Sequence, residues 1–358
     1  MVKNPRIKKG MPRPRPSVLG MAPYSPPSAG RAGKLRLDFN ENTVGCSPRV
    51  LEFLKRTLTV EDLAVYPEYT AARPALAAFF CVRPEQLLLT NGTDEAIQII
   101  VNTYVDDGDE VIVLRPSYAM YRFYAEVAGA RIREIDYRPD GLAFPLEELL
   151  ESITPATRAI LIANPNNPTG TAVSLMGIEK ILKRAAPAAV LIDEAYFEFS
   201  GVTALGLVEN SPNLFVSRTF SKVYGMAALR LGCVFSHESN IAFLHKAQSP
   251  YSVNALAAMA AVEAVQDREY IQNYVAEVLA ARELLAVGLE ALGIPYFRSA
   301  GNFLLMKLGR RAIPIRNQLR EKGVLVRDRS YEIPGCVRVT VGTREQIRRF
   351  LAALEEIW

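Results

Sequence analysis

Residues 217–222 read SRTFSK, and the architecture of this 358-residue chain can be worked out from that turn. The turn places Lys222 among hydroxyl groups, and Arg230 follows eight residues later. A lysine that lies near other cations and is partly withdrawn from water loses its proton more easily, and a neutral amine can attack an aldehyde. A serine followed by a lysine is uninformative by itself. The role of Lys222 can therefore be inferred only together with the other motifs of the sequence.

Upstream, an apolar run over residues 189–192 ends in Asp193. A carboxylate at the carboxyl end of a buried strand lies where ligands bind to open α/β sheets. Beside a pyridine nitrogen, such a carboxylate would keep that nitrogen protonated and make the ring an electron sink. The same residue could equally cap the next segment. Tyr196 could donate its hydroxyl to a ring oxygen, or it could simply pack in the core.

The turn NPNNPTG at residues 164–170 follows another apolar run, and its prolines and glycine fix its shape. Asn167 precedes Asp193 by 26 residues, which is the length of a strand–helix–strand unit. Such a unit returns both residues to the same edge of the sheet. The amide of Asn167 could therefore donate to the same ring oxygen as Tyr196.

Residues 92–94, Gly-Thr-Asp, follow a predicted strand and open a helix. A helix N-terminus presents free N–H groups to an anion, although one such terminus is a weak signal. Hydroxyl groups and an arginine can complete a phosphate site. The candidates from the lysine turn are Thr219, Ser221 and Arg230. Tyr118 follows the next strand and could stack on a ring or pack in the core.

Between residues 86 and 235, short apolar runs alternate with helical patterns. Runs that are apolar on both faces are typical of buried strands in a mostly parallel sheet covered by helices. We therefore predict an α/β fold with this sheet in a large domain. The predicted strands are residues 86–90, 110–114, 130–136, 159–163, 189–193, 214–218 and 231–235.

After residue 254 the pattern changes, and a long helix over residues 267–292 precedes short alternating strands and helices. This order predicts a smaller α+β domain. The expected regions are a basic, proline-rich arm (1–36), a large domain (37–254, of which 37–65 contributes to the arm or the small domain) and a small C-terminal domain (255–358).

The composition is that of an ordinary globular protein, with 49% hydrophobic and 22% charged residues. The net charge of +4 comes from the arm, which holds nine basic and no acidic side chains. Its seven prolines favour a disordered or polyproline-like leader over a nucleic-acid-binding arm. No apolar run reaches the ~18 residues of a membrane helix, and no secretory segment is recognisable. We therefore expect a cytoplasmic protein whose partners include neither nucleic acid nor a membrane.

The four cysteines are scattered, which suits reduced thiols in a reducing cytosol. The two histidines, His237 and His245, lie near no cysteine cluster and no G-x-S-x-G turn. We therefore expect no metal site and no Ser-His-Asp triad.

In order and spacing, these groups resemble those of the fold-type-I aminotransferases, from DFNEN at residues 38–42 to RVTVG at residues 338–342. The resemblance implies a transferase that uses pyridoxal 5'-phosphate. It implies that Lys222 carries this cofactor as a Schiff base and moves protons, and that Asp193 faces the ring nitrogen.

The resemblance also implies that Asn167 and Tyr196 face the ring oxygen and that Tyr118 stacks on the ring. In this family a tyrosine of the partner subunit usually reaches the cofactor phosphate, and Tyr66 matches that position, which implies a homodimer with shared sites. The other residues implied for the phosphate are Gly92, Thr93, Asp94, Thr219, Ser221 and Arg230.

Within this family the chain most resembles the histidinol-phosphate aminotransferases, in residues 40–42 (NEN), 66–67 (YP), 91–95 (NGTDE) and 249–254 (SPYSVN). This implies histidine biosynthesis, with 2-oxoglutarate as amino acceptor. The residues implied on the substrate side are Tyr24, Asn42, Arg327 and Arg338. Two arginines suit a phosphate dianion, although Arg327 could also be an ordinary solvated charge.

Two departures from the family pattern bear on substrate choice. Thr43 and Val44 replace the usual proline after NEN, and the loop over residues 328–337 is short. An aromatic-amino-acid aminotransferase would share every cofactor residue, and a threonine-phosphate decarboxylase has similar motifs. A non-enzymatic protein that binds the cofactor or nucleic acid is disfavoured, because no N-terminal helix-turn-helix pattern is present.

Overall fold

A computed structural model describes residues 10–23 and 29–358 of the chain. The strands are β1 (Leu35–Leu37), β2 (Leu87–Thr90), β3 (Glu110–Arg115), β4 (Arg131–Asp136), β5 (Thr157–Ala163), β6 (Ala189–Asp193), β7 (Leu214–Thr219), β8 (Gly232–Ser236), β9 (Tyr296–Phe297), β10 (Phe303–Lys307), β11 (Val324–Asp328) and β12 (Cys336–Thr340).

The helices surround two sheets. They are α1 (Pro16–Leu19), α2 (Pro48–Thr57), α3 (Val60–Ala64), α4 (Ala72–Phe79), α5 (Gly92–Tyr104), α6 (Ala119–Ala128), α7 (Leu146–Ser152), α8 (Leu175–Ala185), α9 (Phe197–Ser200), α10 (Glu238–Ala247), α11 (Ala255–Gln266), α12 (Arg268–Ala291), α13 (Ala312–Glu321) and α14 (Arg344–Glu355). In the described residues, no helix is both long and apolar enough to cross a lipid bilayer.

The larger sheet has seven strands in the order β2-β8-β7-β6-β5-β3-β4. The five strands from β4 to β7 run parallel, whereas β8 is antiparallel to both of its neighbours. All seven strands predicted between residues 86 and 235 form, so the mostly parallel sheet is confirmed. The carboxyl ends of the parallel strands meet at one edge, which places the residues that follow them close together.

Successive residues of the central strands face opposite sides of this sheet, as the pleat requires. Leu191 and Phe215 pack in the cluster with α5, α6 and α10, whereas Ile192 and Val216 pack in the other core cluster. The alternation continues at the strand ends. Asp193 and Ser217 hydrogen-bond on one side, and Glu194 and Arg218 form an ion pair with a 2.7 Å contact on the other.

The smaller sheet has five strands in the order β1-β11-β12-β10-β9, and the long α12 packs beside α14. The sequence predicts β10, β12, α12, α13 and α14 but not β11, whose five residues carry two charges. Strand β1 pairs in parallel with β11, with Leu35 opposite Val324 and Leu37 opposite Val326. The predicted boundary of the arm at residue 36 therefore falls inside a strand, and the end of the arm is part of the C-terminal sheet.

The described part of the arm also contacts the large sheet's helices. Helix α1 lies against α6, and Arg15 donates a hydrogen bond to the carbonyl of Ala128 at 3.2 Å. Arg31 pairs with Asp38 at 2.9 Å and with Glu41 at 2.6 Å. Basic residues of the arm are thus used in contacts within the chain.

Candidate active site

A cavity of about 460 Å³ opens at the carboxyl edge of the parallel strands. Its walls come from both sheets. The turns after β5, β6 and β7 and the first residues of α5 and α6 form one side, and β11, β12 and residues 39–41 form the other. The sequence-predicted residues that line it are Thr93, Asp94, Tyr118, Asn167, Asp193, Tyr196, Thr219, Ser221, Lys222, Arg230, Arg327 and Arg338.

Lys222 enters the cavity from the turn after β7. Its Nζ donates a hydrogen bond to the carbonyl oxygen of Phe39 at 3.1 Å and lies 5.8 Å from the centroid of the Tyr196 ring. The Tyr196 hydroxyl accepts a hydrogen bond from Asn40 at 3.0 Å, and Thr340 of β12 donates to the side-chain oxygen of Asn40 at 3.0 Å. The amine and the tyrosine are therefore both tied to the segment that joins β1 to the rest of the chain.

Asp193 lies at the end of β6 with its carboxylate buried, 4% exposed. Burial raises the pKa of this carboxyl to about 6, although hydrogen bonds from Tyr121, Ser217 and the Ala195 amide oppose the rise. The Tyr121 hydroxyl donates at 2.8 Å and the Ser217 hydroxyl at 2.9 Å. The carboxylate can consequently be charged at neutral pH, and it can attract a cation that enters the cavity.

A first group of polar side chains gathers where α5 begins. Arg230 contacts Asp94 at 3.1 Å and donates to the Ser221 hydroxyl at 3.3 Å, and Tyr118 donates to Asp94 at 2.7 Å. Gly92 has a φ of +73°, and a Cβ there would lie 2.6 Å from an Arg230 nitrogen. Only glycine allows the Arg230 guanidinium to come this close to the backbone of residue 92. Arg230 therefore lies beside the free N–H groups at the N-terminus of α5. This arrangement is suited to a phosphate.

A second cationic group lies on the opposite sheet. Arg338 of β12 is 4% exposed, donates to the Asp38 carbonyl at 2.6 Å and to the Asn167 side-chain oxygen, and leaves its Nε without a partner. Burial and the charges of Arg329 and Arg327 lower the pKa of Arg338 to about 10. One Arg327 nitrogen is also buried without a partner. Unsatisfied cations in a cavity are a site for an anion.

Two glutamates add negative charge to the lining of the cavity. Glu41 lines the cavity, and although burial would raise its pKa, the hydrogen bond and charge of Arg31, with Arg36 and Lys222, lower it. Glu332 pairs with Arg329, and burial raises the pKa of Glu332 against the pull of Arg329, Arg338 and Arg327.

Of the predicted site residues that the structure describes, Gly92, Asn42 and Tyr66 do not line this cavity. Asn42 is buried with its side chain engaged, since it donates to the Val223 carbonyl at 2.8 Å and accepts from the amides of Val44 and Gly45 at 2.9 Å. These bonds of Asn42 shape the turn after NEN. Tyr66 is 72% exposed and stacks on Tyr251 with ring centroids 4.3 Å apart. Tyr24 lies outside the described residues.

The sequence did not predict roles for Tyr121, Ser217, Glu41 or Arg329. Side chains alternate between the two faces of a strand, and Ser217 of β7 lies opposite Asp193 of β6 on the same face of the sheet. This alternation could have indicated a contact between Ser217 and Asp193. Tyr121 has no comparable signal, because an aromatic residue on the apolar face of a helix usually packs in the core.

Comparison with known proteins gives the family. The aminotransferase class I and II family matches residues 32–354. A histidinol-phosphate aminotransferase of Symbiobacterium thermophilum is 35% identical over 355 residues, which are 95% of this chain and 97% of that one. One of Roseiflexus castenholzii is 37% identical over 366 residues, covering 96% and 97% of the two chains.

The fold agrees with the family. A crystal structure of the histidinol-phosphate aminotransferase of Sinorhizobium meliloti, in complex with pyridoxal-5'-phosphate, has a TM-score of 0.87 at 23% identity. The similarity covers 98% of each chain, and it shows the fold-type-I architecture that the sequence predicts. From its sequence and its architecture together, the chain belongs to the class I and II aminotransferases.

Proposed function

We propose that the protein is a pyridoxal-phosphate-dependent aminotransferase that takes the amino group of histidinol phosphate and passes it to 2-oxoglutarate. The observation that carries this proposal is one cavity with two separate cationic groups, with Lys222 and a buried carboxylate between the same walls. One cationic group suits the phosphate of the cofactor, and the other suits the phosphate of the substrate. The curated relatives at 35% and 37% identity bear the name of this activity.

The residues present fit the cofactor. Gly92, Thr93, Asp94, Thr219, Ser221 and Arg230 would hold its phosphate, with Tyr118 against the ring. Asp193 would face the ring nitrogen, and Asn167 and Tyr196 would donate to the ring oxygen. Since the Asn167 side-chain oxygen already accepts from Arg338, its amide nitrogen is the group left to donate.

When bound, pyridoxal phosphate supplies an aldehyde for amino groups and a ring that withdraws electrons from the substrate α-carbon. The protein does the rest. Lys222 would hold the cofactor through its Nζ, and the same amine, once free, would take up the proton that leaves the substrate α-carbon. Asp193 would keep a positive charge at the ring nitrogen, and Tyr196 would donate its hydroxyl to the ring oxygen.

The donor is bound by Arg338 and Arg327. Both guanidinium groups have a buried nitrogen without a partner, so a dianion would satisfy groups that the protein alone leaves unpaired. A phosphate brings three acceptor oxygens and a charge of nearly −2 to two cations, whereas a carboxylate brings two oxygens and a single charge. The pairing of two arginines therefore favours a phosphorylated donor over an aromatic amino acid.

We further propose a homodimer in which Tyr66 reaches the cofactor phosphate of the partner subunit. Tyr66 is exposed, as are Val60, Leu63 and Val65 in the segment that precedes it. The chain would form a large domain around the seven-stranded sheet and a small domain around the five-stranded sheet. The four unpaired cysteines fit the reducing cytoplasm predicted from the sequence.

Half-reactions test the donor. The purified protein with pyridoxal phosphate is mixed with histidinol phosphate, phenylalanine or threonine phosphate, and the absorbance of the bound cofactor is followed without an amino acceptor. We expect histidinol phosphate to give the fastest change. A faster change with phenylalanine would point to an aromatic-amino-acid aminotransferase, and release of carbon dioxide from threonine phosphate would point to a decarboxylase.

A further inference from the structure

Two buried hydroxyl groups contact the Asp193 carboxylate from different elements. Tyr121 of α6, 1% exposed, donates to one oxygen at 2.8 Å, and Ser217 of β7, fully buried, donates to the other at 2.9 Å. We propose that Tyr121 and Ser217 are positioning residues that aim this carboxylate into the cavity and keep it in its charged form. The inference rests on the proposed function, since it concerns how Asp193 serves a bound cofactor.

The geometry fixes the carboxylate from two directions. Asp193 and Ser217 are directly opposite each other in the parallel pairing of β6 and β7, so the serine reaches sideways along the sheet. Tyr121 reaches down from the helix that covers this face of the sheet. Because each carboxylate oxygen has its own donor, rotation of the carboxylate would break at least one hydrogen bond.

Tyr121 also connects Asp193 to the ring that would stack on the cofactor. The Tyr118 and Tyr121 rings meet edge to face, with centroids 5.7 Å apart at 85°. Tyr118 in turn donates to Asp94, which contacts Arg230. Asp193, Tyr118 and the residues proposed to hold the phosphate are thereby connected in one continuous network.

The charge of Asp193 depends on competing groups. Burial and the charge of Asp94 on α5 disfavour the charged form, whereas the two hydroxyls and the Ala195 amide favour it. The remaining ionisable groups of the cavity near α6 and the lysine turn are Tyr118, Tyr196, Lys222 and Arg230. Donors to a carboxylate lower its affinity for a proton. Tyr121 and Ser217 would therefore leave the shared proton on the ring nitrogen of the cofactor and not on Asp193.

The first test uses the protein without cofactor. Aspartate labelled with ¹³C at the side-chain carboxyl reports the titration of Asp193 by NMR, with Asp193→Asn to assign the signal. A hydrogen bond to a charged group is worth about 1.5–3 kcal/mol, so Tyr121→Phe should raise the pKa of Asp193 by about one or more. Ser217→Ala should act in the same direction.

Tyr104→Phe is the matched control. Tyr104 packs against the same hydrophobic cluster, but its hydroxyl donates to Asn240 at 3.2 Å, away from Asp193. This variant should leave the Asp193 titration unchanged. If Tyr121→Phe does not fold, Ser217→Ala tests the proposal by itself. It removes the second donor to Asp193 and changes the side chain by a single oxygen atom. An unchanged Asp193 titration in the folded donor variants would overturn the proposal.

The second test uses pyridoxal phosphate labelled with ¹⁵N in the ring. In the wild type the ring nitrogen should be protonated at neutral pH, and Tyr121→Phe should shift its ¹⁵N signal toward the unprotonated value, whereas Tyr104→Phe should not. A wild type that binds no cofactor would refute the proposed function, while the carboxyl titration would still report on the two hydroxyls. A protonated ring nitrogen in both donor variants would refute the positioning role alone.

Discussion

The Nζ of Lys222 donates a hydrogen bond to the backbone carbonyl of Phe39, 3.1 Å away and 183 positions earlier in the chain. The amine is thus held by a neutral acceptor and not by a carboxylate. The contact ties the turn after β7 to the segment that forms the other wall of the cavity.

We expect borohydride reduction of the protein with pyridoxal phosphate to fix the cofactor on Lys222. Peptide mapping by mass spectrometry locates the adduct. The variant Lys222→Arg keeps the charge but cannot form the bond, so its reduced peptides should carry no label. A stoichiometric adduct on another lysine would show that the assignment is wrong.

Gly92→Ala should weaken cofactor binding. The position has a φ of +73°, and the new Cβ would lie 2.6 Å from an Arg230 nitrogen, so backbone and arginine must both move. Strain of about 1–2 kcal/mol corresponds to roughly a 5- to 30-fold rise in the Kd for pyridoxal phosphate, measured by equilibrium dialysis.

Gly293→Ala is the control for this strain. Gly293 has a φ of +66°, and a Cβ added there would meet no heavy atom within 4 Å, so the change strains the backbone without touching Arg230. It should lower the melting temperature and leave the Kd unchanged. Equal losses of affinity in both variants would show that Gly92 matters only for folding.

Arg327→Ala should discriminate between donors. Losing one charge-assisted contact of about 1.5–3 kcal/mol should reduce kcat/KM for histidinol phosphate roughly ten- to a hundredfold. Phenylalanine, whose single carboxylate can use Arg338, should lose much less. Arg310→Ala removes an exposed arginine outside the cavity and should change neither value. If the wild type prefers phenylalanine, or if Arg327→Ala harms both donors equally, the histidinol-phosphate assignment fails.

Glu198→Gln should stabilise the protein at alkaline pH. Burial raises the pKa of Glu198 to about 7, despite the charge of Arg218. Between the ordinary value of 4.5 and about 7, the folded chain binds more protons than the unfolded chain, so wild-type stability falls as pH rises through this window. Denaturant unfolding should show the variant more stable by about 1–3 kcal/mol at pH ~8, with little difference at pH ~4.

The exposed Glu321 at the end of α13 provides the comparison. Glu321→Gln should give the same free energy of unfolding as the wild type at both pH values. A Glu198→Gln curve that runs parallel to the wild-type curve would mean that Glu198 ionises normally in the folded protein.

Mixing two inactive variants should restore activity if the sites are shared between subunits. Lys222→Ala and Tyr66→Ala chains, unfolded and refolded together, would form hybrids with one intact site. Random association in a twofold dimer gives about a quarter of the wild-type activity. Lys222→Ala mixed with Asp193→Ala should recover none, because both residues line the cavity of one chain. Hybrids that form without activity would argue for sites complete within one chain.

Sequence patterns predicted the large sheet well because its strands are apolar on both faces and its turns are punctuated by Asn, Pro and Gly. They also predicted that Asn167 and Asp193 return to the same edge of the sheet, since a strand–helix–strand unit separates them, and β5 and β6 do pair in parallel. Strand β11 was missed because its arginine and aspartate break a short apolar run. Its pairing with β1 joins residues nearly 300 positions apart, which no local pattern encodes.

The contacts of Asp193 likewise include one that no local sequence pattern encodes. The position of Ser217 follows from the pleat of β7, whereas the contact of Tyr121 depends on how α6 lies over the sheet. The family resemblance implies that Asn42 is a substrate residue, which stays a prediction, whereas the bonds of its side chain to Val223 and to its own turn depend on tertiary contacts. Such choices are made by tertiary packing, and the spacing of residues in the sequence does not contain them.

The parallel pairing of β1 with β11 has a practical consequence for anyone who shortens the chain. A protein that begins at Gly30 would keep Arg31 and its contacts with Asp38 and Glu41, together with the edge strand itself. A cut after Leu37 would strip that strand from the C-terminal sheet, although among residues 10–23 and 29–37 it would remove no side chain that lines the cavity. Limited proteolysis near residue 37 should therefore inactivate the enzyme indirectly. Without the pairing of β1 with β11, Phe39 and Asn40 would lose the strand that positions them.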